Sequence, residues 1–503
     1  MGGALNMRPL AAALLPLLFA GCATLEAPLR EHLESDAPQV RSCASWFATL
    51  DQAIDASGVR DGQEARIPGF PYLRANRILS ALKERAASSE PATQALAVRL
   101  AALDHAARIA EIANLAGEQL ASLPDLVVPG SRAEALARTR ECARLLKKID
   151  LAKPQIRRLL LERARVPDDY STGWRTAGLY FLMRYPFASG VRRWEEEMKS
   201  AFLSERETSW PIVRYAPPAA LPRKADVLRR MLMASATNPL AVPEPQPEDL
   251  ADLIAAHAPS FEVEIGGDFD RFGELRWLRD GERPAVDGSR HIVYAHAART
   301  LYHGRVLLQL VYTIWFPERP PREAGDILAG ALDGLMWRVT LSPGGEPLIY
   351  DAIHACGCFH MFFPTARASA LPAPDAIEEW AFVPQRLPRI SPGERPLVRI
   401  ASGTHHVERV SLVRGTDSVS PYELRGYDEL RSLARLDGGS RSAFGPDGLI
   451  AGTERPERYL FWPMGVRSAG AMRQWGRHAT AFVGRRHFDD ADLFERRFEF
   501  DLP

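Results

Sequence analysis

Between Asn238 and Pro247 the chain changes its hydrophobic period, and this constrains the fold more than any other feature of the sequence. Pro239, Pro243, Pro245 and Pro247 fall in that stretch. Proline fixes φ and removes a backbone donor, so the stretch predicts a semi-rigid linker. Before it the pattern is helical. Leu96, Leu100, Leu103 and Ala107 recur at helical spacing within the run from Ala92 to Leu123, which Pro124 stops. Ser131-Arg-Ala-Glu134 is a capping-box sequence, opening a helix that Leu136, Leu145, Leu146 and Ile149 extend towards Pro154. The apolar and aromatic run from Trp174 to Leu203 is expected to break at Pro186 and Gly190, and Ala225 to Ala236 predicts another short helix.

After the prolines, one short helix runs to about Ala258 and the period falls to two. Phe261, Val263 and Ile265 alternate with Glu262 and Glu264, the mark of a half-exposed strand. His291 to Arg299 and Arg305 to Phe316 predict two strands joined by a turn at His303-Gly304. The second is apolar on both faces and should be central and buried. Trp337 to Leu341 and Pro347 to Ile353 flank Ser342-Pro-Gly-Gly345, strong hairpin chemistry. Leu397 to Ile400 and Val407 to Val413 predict further strands. The expected fold is α+β: an all-helical domain over 22–237, the linker and short helix over 238–258, and a β-rich domain over 259–503. The last should be a sandwich or a curved antiparallel sheet.

The N-terminus predicts export. Arg8 is the only charge before an apolar run from Leu10 to Phe19, and Ala20-Gly21-Cys22 follows. That run is ten residues long, half of the about 20 that a membrane-spanning helix needs. Residues 1–21 therefore read as a signal peptide. Leu-Phe-Ala-Gly-Cys resembles the bacterial lipobox, whose cysteine is acylated, although Phe19 stands where that pattern prefers Leu. The competing reading is a plain signal with Cys22 as an incidental thiol. Ala23 rather than Asp follows Cys22, which in well-studied Gram-negative bacteria directs a lipoprotein to the outer membrane. The expected location is the outer membrane, facing the periplasm, with the membrane engaged through the lipid on Cys22. Lys plus Arg and Asp plus Glu are each 63. This balance gives no electrostatic case for nucleic acid, which needs a basic surface.

An oxidising compartment changes how the cysteines read. With Cys22 set aside, Cys43 and Cys142 predict one disulfide tying the start of the helical domain to its middle. Cys356 and Cys358 stay open between a tight disulfide around Gly357, a metal or redox pair, and inert thiols.

Histidine is concentrated in the second half. His354, Cys356, Cys358 and His360 are spaced by two, so an extended strand would point all four to one side. Imidazole and thiolate are the ligands of Zn and Cu, and a transition metal is the expected cofactor. Residues two apart on a strand are separated by about 6.6 Å, so no single ion collects all four from a straight strand. Either Gly357 bends the chain, or some of them act with His291, His296 or His405. We expect His354, His360 and one of those three to converge. His405 and His406 are adjacent, so on a strand only one of them could face the site. Asp333, Asp351, Glu408 and Asp417 are further carboxylates, usually solvated in β proteins. Arg473, Arg477, His478, Arg485, Arg486 and His487 predict an exposed basic face, with an anion site as the functional alternative. No Gly-x-Ser-x-Gly, His-Glu-x-x-His or P-loop motif is present.

The segments His291-Ile-Val-Tyr294, Leu308-Gln-Leu-Val-Tyr-Thr-Ile-Trp-Phe-Pro-Glu-Arg319 and Ile353-His-Ala-Cys-Gly-Cys-Phe-His-Met-Phe-Phe-Pro364 resemble a set of large proteobacterial lipoproteins with no assigned activity. The resemblance covers the C-terminal half and implies no mechanism. Two functions are expected from the sequence. The first is a metal-dependent envelope enzyme using the His/Cys cluster. The second is a non-catalytic lipoprotein that binds or assembles an envelope partner and whose Cys pair is structural.

Overall fold

The computed structural model describes residues 26–204, 208–218, 225–278, 281–375, 377–415 and 420–502. The signal sequence, Cys22 and Asp417 lie outside the described residues.

The first half is built from helices that bury one apolar stripe each. α1 (Pro38–Ala56), α2 (Glu90–Asn114) and α3 (Arg132–Leu151) surround a core that includes Trp46, Phe47, Leu96, Leu100 and Leu146. Side chains cap the two longer starts: Ser89 accepts from the Ala92 N–H and Ser131 from the Glu134 N–H. The capping box at Ser131 is only half formed, because Glu134 turns its carboxylate to the N–H groups of Val127 and Val128. Cys43 on α1 and Cys142 on α3 are disulfide-bonded, as expected. The all-helical expectation over 22–237 misses the hairpin Ala65–Ile67 with Phe70–Ala75, whose second strand is buried throughout, and the strand Ile212–Ala216, which with Met198 and Leu232 joins the core of the second half.

α4 (Tyr180–Leu203) corrects another expectation, since it runs unbroken through Pro186 and Gly190. Both residues are exposed. On a solvent-facing turn, water can hydrogen-bond the carbonyl that a proline ring leaves without its donor.

The proline-rich stretch is a packed seam. Leu240 and Val242 enter the helical core. Asn238 closes the segment on itself through the Leu240 and Val242 N–H groups and the Val242 carbonyl. Arg99 and Arg299 reach it from the two halves, at Glu244 and the Pro243 carbonyl. Ion pairs join the halves elsewhere: the buried pair of Arg431 with Asp61 at 2.8 Å, and the half-buried pair of Arg77 with Asp489 at 2.9 Å.

The second half holds two sheets face to face. The larger has the order β7 (Met361–Pro364), β6 (Pro347–His354), β5 (Gly330–Leu341), β4 (Arg305–Arg319), β3 (Ile292–Tyr302) and β11 (Glu423–Gly426), antiparallel except for the last pair. The smaller has the order β9 (Val407–Arg414), β8 (Glu394–Ile400), β2 (Ser260–Glu264), β1 (Ile212–Ala216) and β10 (Ser420–Pro421). Leu308, Leu310, Tyr312 and Ile314 of β4 meet Phe261, Val263, Val398 and Ile400 of the smaller sheet in one core. The opposite face of the larger sheet is covered by the C-terminal segment, where Phe488 packs on Val311, Met336 and Ile353. β4 is thus buried on both faces, which its continuous apolar run requires.

Candidate functional site

The register of β6 against β7 decides where the His/Cys segment points. Tyr350 pairs with Phe363 and Ala352 with Met361, so His354 is opposite Phe359 and Ile353 is opposite His360. Paired residues share a face. His354 therefore follows Tyr350 and Ala352 into the inter-sheet core, whereas His360 follows Asp351 to the far side.

On that far side His360 Nε2 lies 2.9 Å from Asp351 Oδ2, and Asp351 takes two hydrogen bonds from Arg338. Burial pushes the His360 pKa down to about 3. His291 rests against Tyr215 and Phe272, and His296 against Tyr427 and Trp475. Of the expected set, the structure brings together His354 and His405.

These two meet around Asp333, at the end of the inter-sheet core. His405 Nδ1 lies 2.9 Å from Asp333 Oδ2, and His405 Nε2 lies 3.2 Å from Asp270 Oδ1. His354 Nδ1 and Arg455 each lie 3.5 Å from Asp333 Oδ1. Asp270 also accepts from Ser402 and from the N–H groups of Gly266 and Gly403. The result is a buried chain, Asp270–His405–Asp333–His354. Burial acts to raise the Asp333 pKa, yet His354, Arg455 and His405 hold it well below the usual carboxylate range. Burial acts to lower His405, yet its two carboxylate partners raise it. Three non-glycine residues beside this chain, Leu332, Phe359 and His405, have left-handed φ of 54°, 62° and 54°. Such strain persists only where the surroundings over-determine it, and it concentrates at functional sites.

Two expectations change here. His405 and His406 both join the group, because the left-handed turn at His405 takes them off the strand before β9 begins. The His406 ring lies 5.2 Å from the His354 ring. Asp333 and Asp351 are both fully buried rather than solvated. Among the described residues, no three His, Cys, Asp or Glu side chains are placed to hold one metal ion.

Gly357 bends the chain between the strands, with φ +94°. The Gly357 N–H bonds the His354 carbonyl at 2.8 Å, and the His354 N–H bonds the Cys358 carbonyl at 3.0 Å. A Cβ at 357 would stand 2.6 Å from the Ala479 carbonyl oxygen, so the turn admits only glycine. Cys356 and Cys358 are both free thiols, the first buried and the second half-buried.

Cys358, Phe359 and His360 line the mouth and wall of a cavity of about 490 Å³, roofed by α4. Its lining is dominated by aromatic rings in two groups. Phe187, Phe461 and Phe482 cluster at one end, with Phe187–Phe461 and Phe461–Phe482 centroids 5.2 and 4.9 Å apart. Trp194 packs on Phe359 and Phe382 at the other end, at 5.3 and 5.2 Å, and Trp380 completes the wall. Trp194 and Phe359 also touch His406, so the Asp–His chain lies directly behind this wall.

The polar groups facing the cavity are mainly acidic: Glu195, Glu379 and Glu457. Burial raises the pKa of all three, and that of Glu457 reaches about 7 against the opposing pull of Arg455, Arg319 and Arg473. Glu457 has no salt-bridge partner among the described residues. Arg486, the cation in the lining, is committed to the Thr480 hydroxyl, to the Thr480 and Trp380 carbonyls and to the Glu379 carboxylate at 3.7 Å, which also accepts from the Phe482 and Val483 N–H groups. Of this lining the sequence marked Cys358, His360 and Arg486 as site candidates; its aromatic and acidic residues come from segments as distant as 187 and 482, which no local pattern links.

The C-terminal basic stretch is neither an exposed face nor a free anion site. Arg473, His478, Arg486 and His487 are buried. Arg473 donates to the Cys356, Arg467 and Ser468 carbonyls, Arg477 pairs with Asp169, and Arg485 pairs with Asp168. These cations tie loops together. Comparison with known protein families, curated proteins and solved structures finds no match.

Proposed function

We propose that this is an exported, lipid-anchored envelope protein that binds an amphiphilic organic cation in the aromatic cavity beneath α4. The observation that carries the reading is the combination of seven aromatic side chains and three carboxyls in the lining of one cavity. Aromatic faces attract cations through the ring quadrupole, and desolvation strengthens the attraction. Carboxyls raised towards neutrality by burial regain their ordinary ionisation when a cation arrives beside them. A volume near 490 Å³ is in the range of small-molecule sites.

The cavity rim supports delivery from a membrane surface. Phe181, Leu182 and Tyr185 on α4 and Tyr459, Leu460 and Trp462 nearby are large, apolar and exposed. The Arg184 and Arg458 guanidinium groups lie over the Tyr185 and Tyr459 rings. Aromatic residues with flanking Arg are the composition of interfacial membrane contacts. Acylation at Cys22 would hold this rim near a bilayer. No helix among the described residues is long and apolar enough to cross a membrane. The metal-dependent enzyme draws less support, because the His and Cys ligands it needs divide between two faces of one sheet.

Tryptophan fluorescence titration with hexyltrimethylammonium and with hexyl sulfate tests the reading. The cation should bind at least about tenfold more tightly, a difference of about 1.4 kcal/mol. Glu457→Gln should erase that preference, and Trp194→Ala should weaken both ligands. Equal or tighter binding of the sulfate refutes the reading. Intact-mass measurement of membrane-extracted protein tests the anchor: an acylated Cys22 at the N-terminus is expected, and a soluble chain still carrying residues 1–21 refutes it.

A further inference from the structure

The Cys-Gly-Cys turn has chemistry that cation binding does not use. The Cys358 N–H points at the Cys356 sulfur, 3.4 Å away, so the tight turn holds the two thiols side by side. Only Cys358 reaches the cavity. Cys356 lies behind it, buried against Trp315 and Leu332. Glu457 faces the same cavity as Cys358 and interacts electrostatically with both sulfurs.

We infer that Cys356 and Cys358 form a reversible dithiol–disulfide site, in which Cys358 exchanges with disulfides entering the cavity and Cys356 resolves the mixed disulfide. In the forward direction the Cys358 sulfur, as its thiolate, attacks one sulfur of a substrate disulfide RSSR. The S–S bond breaks, and one RS⁻ leaves and takes up the proton that Cys358 gave to the Glu457 carboxylate. The Cys356 sulfur then attacks Cys358 in the mixed disulfide. The second RS⁻ leaves with the Cys356 proton, and a Cys356–Cys358 bond remains. Two electrons pass from the protein dithiol to RSSR, giving two RSH, and no further oxidant is needed. In the reverse direction substrate thiols reduce the protein disulfide.

The asymmetry of the pair suits this division of labour. The hydrogen bond from the Cys358 thiol and the charge of Arg455 favour the thiolate of Cys356, which is the leaving group when the protein disulfide is attacked at the accessible Cys358. The same hydrogen bond, together with burial, raises Cys358. Cys358 therefore depends on a nearby proton acceptor to react, and Glu457, poised near neutrality, is one. The charged groups facing the site are Arg455, Arg473, Asp333 and Glu457. A turn at Gly357 is what a disulfide between residues two apart requires, since bonded cysteines need Cα atoms within about 6.8 Å.

The exchange itself does not depend on cation binding. The preference for a cationic disulfide rests on that reading.

The experiment equilibrates the full-length folded protein with a graded series of oxidised to reduced dithiothreitol ratios. Free thiols are then trapped by alkylation, and the peptide bearing Cys356 and Cys358 is followed by mass. The expected series passes from doubly alkylated to unalkylated with no singly alkylated species, and the oxidised peptide is lighter by two hydrogens. Both thiols remaining free at the most oxidising ratio would overturn the proposal. In the variants, treated with the linear disulfide cystamine in place of dithiothreitol, Cys356→Ser should stop at a mixed disulfide on Cys358, and Cys358→Ser should form none. A mixed disulfide forming on Cys356 at a comparable rate would overturn the assignment of Cys358. Cystamine, a cationic disulfide, should react faster than anionic dithiodiglycolate. If the dithiothreitol series succeeds and this order fails, the acidic-cavity reading falls and the dithiol site stands.

Discussion

Removing one buried imidazole should change how the protein responds to acid. His478 is 1% exposed. Burial, reinforced by Arg473, Arg77 and His296, pushes its pKa down to about 3. The folded chain therefore keeps the ring neutral, while the unfolded chain protonates it below about pH 6.5. A group whose folded pKa is depressed contributes stability that is present above the unfolded pKa and lost as pH falls towards the folded one. Each pH unit inside that window costs about 1.4 kcal/mol, so the fall from pH 7 to pH 5 removes about 2 kcal/mol through His478. That is a large part of a net stability of about 5–15 kcal/mol. His360, held near 3 chiefly by burial, adds a similar loss. His478→Leu should remove its own share and leave the other. Urea unfolding at pH 7 and pH 5 measures the difference, and groups common to both proteins cancel in the comparison. The variant should lose about 2 kcal/mol less than the wild type over that interval. If the two losses agree to within about 0.5 kcal/mol, His478 is not held neutral by burial and the reasoning fails.

Three further outcomes follow from particular contacts. Cys43→Ser should destabilise the protein by up to about 4–5 kcal/mol, because the bond closes a loop of 99 residues; urea unfolding with and without reductant checks it, the variant being insensitive to reductant at this site. Asp333→Asn should cost about 3–5 kcal/mol by leaving Arg455 and His405 buried without their shared carboxylate, whereas Glu323→Gln at the exposed surface should stay within about 0.5 kcal/mol. Gly357→Ala should destabilise by more than about 2 kcal/mol, adding left-handed strain to the clash with the Ala479 carbonyl; thermal unfolding measures this, and a melting temperature equal to wild type would show that the turn can relax.

Much of the fold was legible because it rests on local period. The alternation around Phe261, the two-faced apolar run of β4 and the Ser342–Gly345 turn each state their structure within a few residues. The helix through Pro186 was not legible, since a proline reads as a stop until its exposure is known. The seam at Asn238–Pro247 was misread for a related reason. Prolines announce a stiff extended segment, but Leu240 and Val242 between them are what dock it into the helical core.

The site was less legible, because its spacing was read as one strand. A separation of two residues keeps side chains on one face only while the strand continues, and β6 ends at His354. Beyond the Gly357 turn the antiparallel register takes over, pairing residues whose numbers sum to 713. Under that rule His354 belongs with Phe359 and not with His360, and the two rings do meet, 5.0 Å apart. The turn residue thus divides the expected ligand set: one histidine goes to Asp333, the other to Asp351, and of the thiols between them Cys358 reaches the cavity while Cys356 lies behind it. Asp333, Asp270 and His406 complete the first group from positions that no local pattern links to His354. The glycine that invited a metal loop is the same residue that separates the imidazoles, and its position supports chemistry on the two sulfurs it brings together.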